Sequence, residues 1–345
     1  MVLEWLKKRA ANLFPGYFAL VMATGALSVA AYLLDIPVIP HALLFFNLAA
    51  YLLLWSFVIV RLIWFFPRIM ADLTSHTLGP GFFTFVAGTC VLGSQLVIVA
   101  KQYQVAFVLW LFGIFLWIVI MYTFFTAVTV SRKKPTLALG INGAWLIASV
   151  ATQSVSMLGT LISSHIAGSQ NIVLFFSLSM YLLGAMLYLN IITLIFYRFT
   201  FLQFKYASLT PPYWINMGAV AITTLAGSTL MLHASQWPML LELMPFLKGF
   251  TLFFWITGTW WIPLLFILMT WRYLYHRYPL TYDPQLWGMV FPLAMYTTGT
   301  FQLSKALGLP FLLAIPRFMI LIAMFAWVFV FVQLLYSHRH IFSSD

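Results

Sequence analysis

The stretch DPQLWGMVFPLAMYTTGT, residues 283–300, opens on a proline beside aromatics and then turns to Gly, Ala and Thr. The same order, led by Pro or Gly, recurs four times upstream. It is seen in FPGYFALVMATG (14–25), GPGFFTFVAGT (79–89), LGINGAWLIASVAT (139–152) and PPYWINMGAVAITT (211–224). Between these segments lie bulky apolar ones such as VAFVLWLFGIFLWIVIMYTFF (105–125). The starts recur at intervals of roughly 60 to 75 residues, the spacing of a repeated two-helix unit. Small residues let membrane helices approach closely, whereas bulky apolar faces suit lipid. On a single helix the small residues would read as ordinary bundle packing. Five in register favour two concentric rings, with five small-residue helices inside.

Hydropathy, punctuated by Pro, Gly and charge, predicts ten spans. They cover 17–34, 41–66, 81–100, 105–130, 140–163, 172–197, 213–232, 246–271, 286–307 and 311–336. Each approaches the roughly 20 apolar residues needed to cross the hydrocarbon core. The expected fold is therefore an all-α integral membrane protein, with ten transmembrane helices arranged as five hairpins around a pseudo-fivefold central pore. All five small-residue helices enter from one side, so the repeat is parallel, not inverted. Residues 1–345 read as one transmembrane domain, with a lead-in over 1–13 and a tail over 337–345.

Composition agrees. The 345 residues are 63% hydrophobic and 7% charged, with a mean hydropathy of +1.00. That leaves too little polar surface to cover a water-soluble body. The start, 1–12, is broken by Glu4, Lys7, Lys8 and Arg9, unlike a secretory signal. The net charge of +11 comes from residues that punctuate the spans and form no stripe, which argues against nucleic acid. Thirteen of the 17 Lys and Arg fall at one set of span ends; Lys101, Lys248, Lys305 and Arg317 fall at the other. By the positive-inside rule both termini are cytoplasmic, as in a plasma (bacterial inner) membrane protein.

Each small-residue helix carries a threonine near its middle: Thr24, Thr89, Thr152, Thr223 and Thr297. As a set they are pore-lining candidates, because hydroxyls replace part of a hydration shell without trapping an ion by full charge. The competing reading is a hydroxyl bonded to the carbonyl a turn earlier. Phe291 precedes Pro292, which removes a helical hydrogen bond and kinks the helix. In a chain with 34 phenylalanines, the residues alone make Phe291 ordinary packing. Lys248, Lys305 and Arg317 form a candidate anion-attracting set at the far mouth, with snorkelling or a Lys248–Glu242 pair as the plain alternative.

The remaining chemistry-bearing residues point away from catalysis. Cys90 is the only cysteine, so no disulfide framework or thiolate metal site exists. No Asp, Glu or His falls mid-membrane, and no nucleophile–base pair or mid-helix Lys is visible. His338 and His340 sit in the tail. Asp72 and His76, four apart, could share a helix face at the membrane surface. No metal, cofactor or enzymatic activity is expected.

FPGYFALVMATGALS (14–28), GPGFFTFVAGTCVLGSQ (79–95) and WGMVFPLAMYTTGTFQL (287–303) resemble the tellurite-resistance / C4-dicarboxylate transporter family over nearly the whole chain. That family includes bacterial tellurite-resistance permeases, fungal malic-acid permeases and plant guard-cell slow anion channels. The resemblance implies a homotrimer whose nearly uncharged pore is closed by a phenylalanine in the ninth helix. By its place in MVFP, Phe291 matches that gate, reversing its plain reading. The long regulatory tails of the plant members are missing here. Two mechanisms are compatible with the family: a passive pathway for small inorganic or carboxylate anions, and a proton-coupled carrier of malate-like C4 dicarboxylates.

Overall fold

A computed structural model describes residues 7, 9–166 and 168–342, with side chains to Ser337. The rest of the 1–13 lead-in, the last three residues of the 337–345 tail and the His338 and His340 side chains lie outside the described residues. Among the described residues the chain is helical, with no strand. Ten long helices follow one another: α1 (Ala19–Leu33), α2 (Ile39–Trp64), α3 (Phe83–Ala100), α4 (Tyr103–Val130), α5 (Ile147–Ile162), α6 (Gln170–Phe201), α7 (Ile215–Leu232), α8 (Met244–Thr270), α9 (Trp287–Leu307) and α10 (Ala314–Phe342). The last runs six residues beyond the expected end at Tyr336.

Nine of these, counted with their leading turns, are long and apolar enough to cross a membrane among the described residues. The exception is α9. Its 21 residues span about 31 Å at 1.5 Å per residue, but Thr297, Thr298, Thr300, Gln302, Ser304 and Lys305 dilute its apolar character.

Every odd-numbered helix begins with a 3-10 turn: Pro15–Phe18, Gly79–Phe82, Gly143–Leu146, Pro211–Trp214 and Pro284–Leu286. Proline stands in the opening positions of four of them. There its missing N–H costs nothing and its fixed φ suits helix entry. The fifth has no proline. Instead the Asn142 side chain accepts from the Ala144 N–H at 2.9 Å, a side-chain cap doing the same job.

Burial separates two sets. The spans containing α1, α3, α5 and α7 are 83–94% buried, and those containing the even-numbered helices only 22–50%. The buried α9 belongs with the first set. Contacts run α1–α3–α5–α7–α9 and back to α1, and the five 3-10 turns touch in the same cyclic order. Each even helix packs over the groove between consecutive odd ones: α2 on α1 and α3, α4 on α3 and α5, α6 on α5 and α7, α8 on α7 and α9, α10 on α9 and α1. Large side chains such as Phe115, Leu52 and Phe325 stay exposed on this outer set, as apolar solvent requires.

Two expected side-chain pairings fail. The helix holding Asp72 is Phe66–Leu73, so His76 lies beyond it and shares no face. Asp72 instead meets Arg61 at 2.6 Å. Lys248 and Glu242 form no ion pair, because α8 begins only at Met244 and both side chains stay exposed.

The ring closes through backbone contact at Gly143. A Cβ there would come within 2.4 Å of the Pro212 carbonyl oxygen and 2.6 Å of the Tyr213 nitrogen, and backbone cannot swing aside. Gly143→Ala should therefore cost roughly 1–3 kcal/mol, the range for overpacking. Gly249→Ala, where no atom lies within 4 Å, should leave thermal unfolding in detergent unchanged or slightly improved. Equal melting of the two variants would show that the turns do not pack as described.

Candidate functional site

The ring encloses two cavities along its length. The wider, of about 370 Å³, sits at the end that carries the 3-10 turns. All five units line it, through Met22, Thr84, Ile147, Ile215 and Phe291 among others. The narrower, of about 20 Å³, is lined by Ala26, Val91, Met157, Leu225 and Met295 with their neighbours, again one or more from each odd helix. Phe291 and Met295, or Met22 and Ala26, are one helical turn apart. The constriction between the cavities is therefore about one turn deep on these two helices.

Phe291 is 1% exposed and lies in the wall of the wider cavity on its constricted side. Pro292 has no N–H, so the Gly288 carbonyl, four residues earlier, loses its helical donor. Gly288 lines the same cavity. The Pro292 ring nests on α7, where a Cβ on Gly218 would fall 2.6 Å from its Cγ. That close approach holds α9 against α7 beside Phe291.

None of the five mid-helix threonines lines either cavity. Thr89, Thr152, Thr223 and Thr297 donate to the carbonyls of Phe85, Ala148, Ala219 and Leu293 at 2.7–2.9 Å. Three also meet the outer helices: Thr24 accepts from Trp327 Nε1 at 3.0 Å, Thr152 from Trp117 Nε1 at 2.8 Å, and Thr89 pairs with the Tyr51 hydroxyl at 3.0 Å. Thr24, Thr89 and Thr152 thus tie the two rings together, while Thr223 and Thr297 bond only to the backbone a turn earlier. The place expected for the five in the narrower cavity is taken by Ser94, Thr229, Thr298 and Gln302.

Lys305 and Arg317 do come together. With Asp35 they line a pocket of about 290 Å³ at the other end, where the Lys305 ammonium stands 4.5 Å over the Phe301 ring. Lys248 is exposed and lies outside that pocket. His233, just past the end of α7, donates from Nδ1 to the Thr229 carbonyl, 2.8 Å away. Burial pushes its imidazole below the ordinary range despite that bond.

Sequence reasoning counted Arg61, Arg198 and Arg272 only as topology markers. All three are buried, at the ends of α2, α6 and α8. Arg61 donates to the Leu13 carbonyl at 2.9 Å, besides its pairing with Asp72. Arg272 donates to the carbonyls of Tyr206 and Ala207 at 3.0 and 3.1 Å. Arg198 donates to the Ile141 carbonyl and the Tyr213 hydroxyl. Each fastens the loop leading into an odd helix, and their shared place in the repeat was the signal available. Of the three, Arg198 alone lines the wider cavity, where it is the only charged side chain among the described residues.

Buried, weakly polar helices sheathed by exposed apolar ones define an integral membrane protein. The family model for voltage-dependent anion channels (SLAC1) matches residues 12–335, and the chain belongs to that family. An uncharacterized transporter of Methanocaldococcus jannaschii is 27% identical over 312 residues, 86% of each chain. A second from the same organism is 27% identical over 307 residues, 85% of this chain and 84% of that one. An uncharacterized membrane protein of Mycobacterium tuberculosis is 38% identical over 150 residues, 44% of this chain and 76% of its own.

Single cysteines in a Cys90→Ala background test the two linings. Thr210→Cys and Gln285→Cys, at the wider cavity, should react with a membrane-impermeant thiol reagent in inside-out vesicles and not in right-side-out ones. Thr223→Cys and Thr297→Cys should stay unlabelled in both. Labelling of the second pair would return the threonines to the passage.

Proposed function

We propose that the chain conducts small anions along the axis of the five-helix ring, through a nearly uncharged pore closed at Phe291. The observation that carries this reading is the pair of stacked cavities, each lined by all five odd helices and parted by one turn at Phe291. An apolar constriction gates by excluding water and reopens when the ring moves. The ten helices then all span the membrane, α9 included, because Thr297, Thr298, Thr300 and Ser304 are buried inside the protein and not turned to lipid. The positive-inside count puts the 3-10 turns and both termini on the cytoplasmic face of a plasma membrane. The family resemblance supports a homotrimer.

Malate-like dicarboxylates fit as cargo alongside inorganic anions. A proton-coupled carrier needs a titratable group on its path, and among the described residues neither cavity is lined by Asp, Glu or His. That supports the passive mechanism over the carrier. Lys305 and Arg317, at the opposite mouth, would raise the local anion concentration.

Phe291→Ala removes an apolar plug, so anion flux in reconstituted vesicles should rise several-fold. Damage to a packed core would lower it. Truncating a buried Phe ordinarily costs roughly 3–5 kcal/mol; a ring with open volume on one side should lose less. Phe301, which lines neither axial cavity, is the matched control. Reduced or unchanged flux from a well-folded Phe291→Ala would remove the gate.

A further inference from the structure

The pocket that holds Lys305 and Arg317 shares no lining residue with either axial cavity. Of about 290 Å³, it is lined by Tyr32 and Asp35 at the end of α1, Phe301 and Lys305 on α9, and Leu313 and Arg317 around the start of α10. It therefore lies off the axis, in the seam where the outer α10 covers α9 and α1. Its depth follows from the helix ends. Lys305 is two residues short of the end of α9, and Arg317 is in the first turn of α10. Both stand within about one turn of the span ends, where hydrocarbon gives way to headgroups. Arg317 is exposed. Leu321 and Phe325, one and two turns further along the same face of α10, are 62% and 73% exposed.

The charges of this pocket do not neutralise one another. Among the described residues neither cation forms an ion pair with Asp35. Lys305 stands over the Phe301 ring instead. A third cation, Lys101, stands 5.4 Å over the ring of Tyr32. Asp35 has a φ of +55°, a left-handed conformation that Asp tolerates better than most residues.

Snorkelling alone brings Lys and Arg to the headgroups from any helix face, and it needs neither a recess nor an acid. Here two cations and a carboxylate share one recess beside a lipid-facing stripe. The anion found at this depth is the phosphate diester of a phospholipid, and an arginine fork with an ammonium beside it suits its oxygens. Asp35 then discriminates between headgroups. A carboxylate accepts N–H or O–H bonds, which ethanolamine and glycerol headgroups donate and the trimethylammonium of choline does not. Leu321 and Phe325 give the acyl chains an apolar bed.

We propose that this pocket binds a phospholipid, with its phosphate on Lys305 and Arg317 and the hydrogen-bond donors of its headgroup on Asp35. The lipid pins the start of α10 to the ends of α1 and α9. While it is bound, its phosphate offsets the pull of the two cations on small anions at that end. The site goes beyond the conduction reading and does not depend on it.

The detergent-purified protein is titrated with phosphatidylethanolamine, phosphatidylglycerol and phosphatidylcholine of one acyl composition, and its thermal unfolding is followed. The first two should stabilise it saturably, at about tenfold lower concentration than the choline lipid, roughly the worth of one hydrogen bond to a charged group. Lys305→Gln and Arg317→Gln should each raise the half-saturating concentration of all three lipids by about the same factor. Asp35→Gly keeps the left-handed turn and should bring the three lipids level. All three side chains are exposed, so replacing them should cost little stability. Arg132→Gln, an exposed cation just past the end of α4, should change none of these responses. Equal half-saturation by the three lipids in the unaltered protein, or an unchanged response in Arg317→Gln, overturns the site. Glycerophosphoethanolamine, the headgroup without its chains, should not stabilise at the same concentrations; if it does, the pocket takes a soluble phosphate and the lipid assignment falls. Anion flux enters none of these outcomes, so their failure leaves the axial pathway standing.

Discussion

Helices can enclose a narrow passage through hydrocarbon only if neighbouring backbones nearly touch, since any gap would open the polar interior to lipid. Side chains set that distance. Where α9 passes α7, a Cβ on Gly299 would lie 2.8 Å from the Ala221 carbonyl oxygen. Between α3 and α5, one on Gly93 would lie 2.5 Å from Leu158 Cδ2. The rest of the architecture follows. Helices stripped of bulk to meet each other cannot also present a lipid face, so a second ring of bulky helices covers their outer grooves. That division of labour repeats five times in one chain.

The polar groups buried by this packing are largely accounted for locally. Threonines return to the carbonyl one turn back, and tyrosine or tryptophan from the outer ring caps several of the same hydroxyls. Asn47 on α2 reaches the Val21 carbonyl at 3.1 Å and Gln95 Oε1 at 2.8 Å, tying α2 to α1 and α3. The charges that remain buried sit at the turn end, on arginines that hold the loops entering the ring. Arg198 is the place where this scaffolding meets the axial cavity.

Much of this was legible in the sequence. The Pro- and Gly-led segments became the 3-10 turns, and the small-residue spans became the buried ring, because periodic composition reports burial directly. The first-order error concerned helical phase. Thr297 and Thr298 are adjacent, yet only Thr298 lines the axis, and about 100° of helical rotation separates them. Composition cannot resolve that angle. Arg198 was hidden for a different reason: a basic residue at a span end is expected on topological grounds alone. Whether it points to water or folds back under the loop depends on Ile141 and Tyr213, which are 57 and 15 residues away. Gate assignment at Phe291 came from the family's pattern, and the placement of its ring against the wider cavity gives that pattern a geometry.

As proposed, the ring axis is a passive, nearly uncharged route whose driving force is the electrochemical gradient of the anion. An applied potential moves a charge with about 2.3 kcal/mol per 100 mV, enough to drive flux with no second ion. The most direct measurement is ion flux from the purified protein in liposomes under an imposed potential with equal pH on both sides. Sustained, potential-driven flux of nitrate or a carboxylate is the predicted result. Uptake that saturates with malate and vanishes without a pH gradient would contradict it.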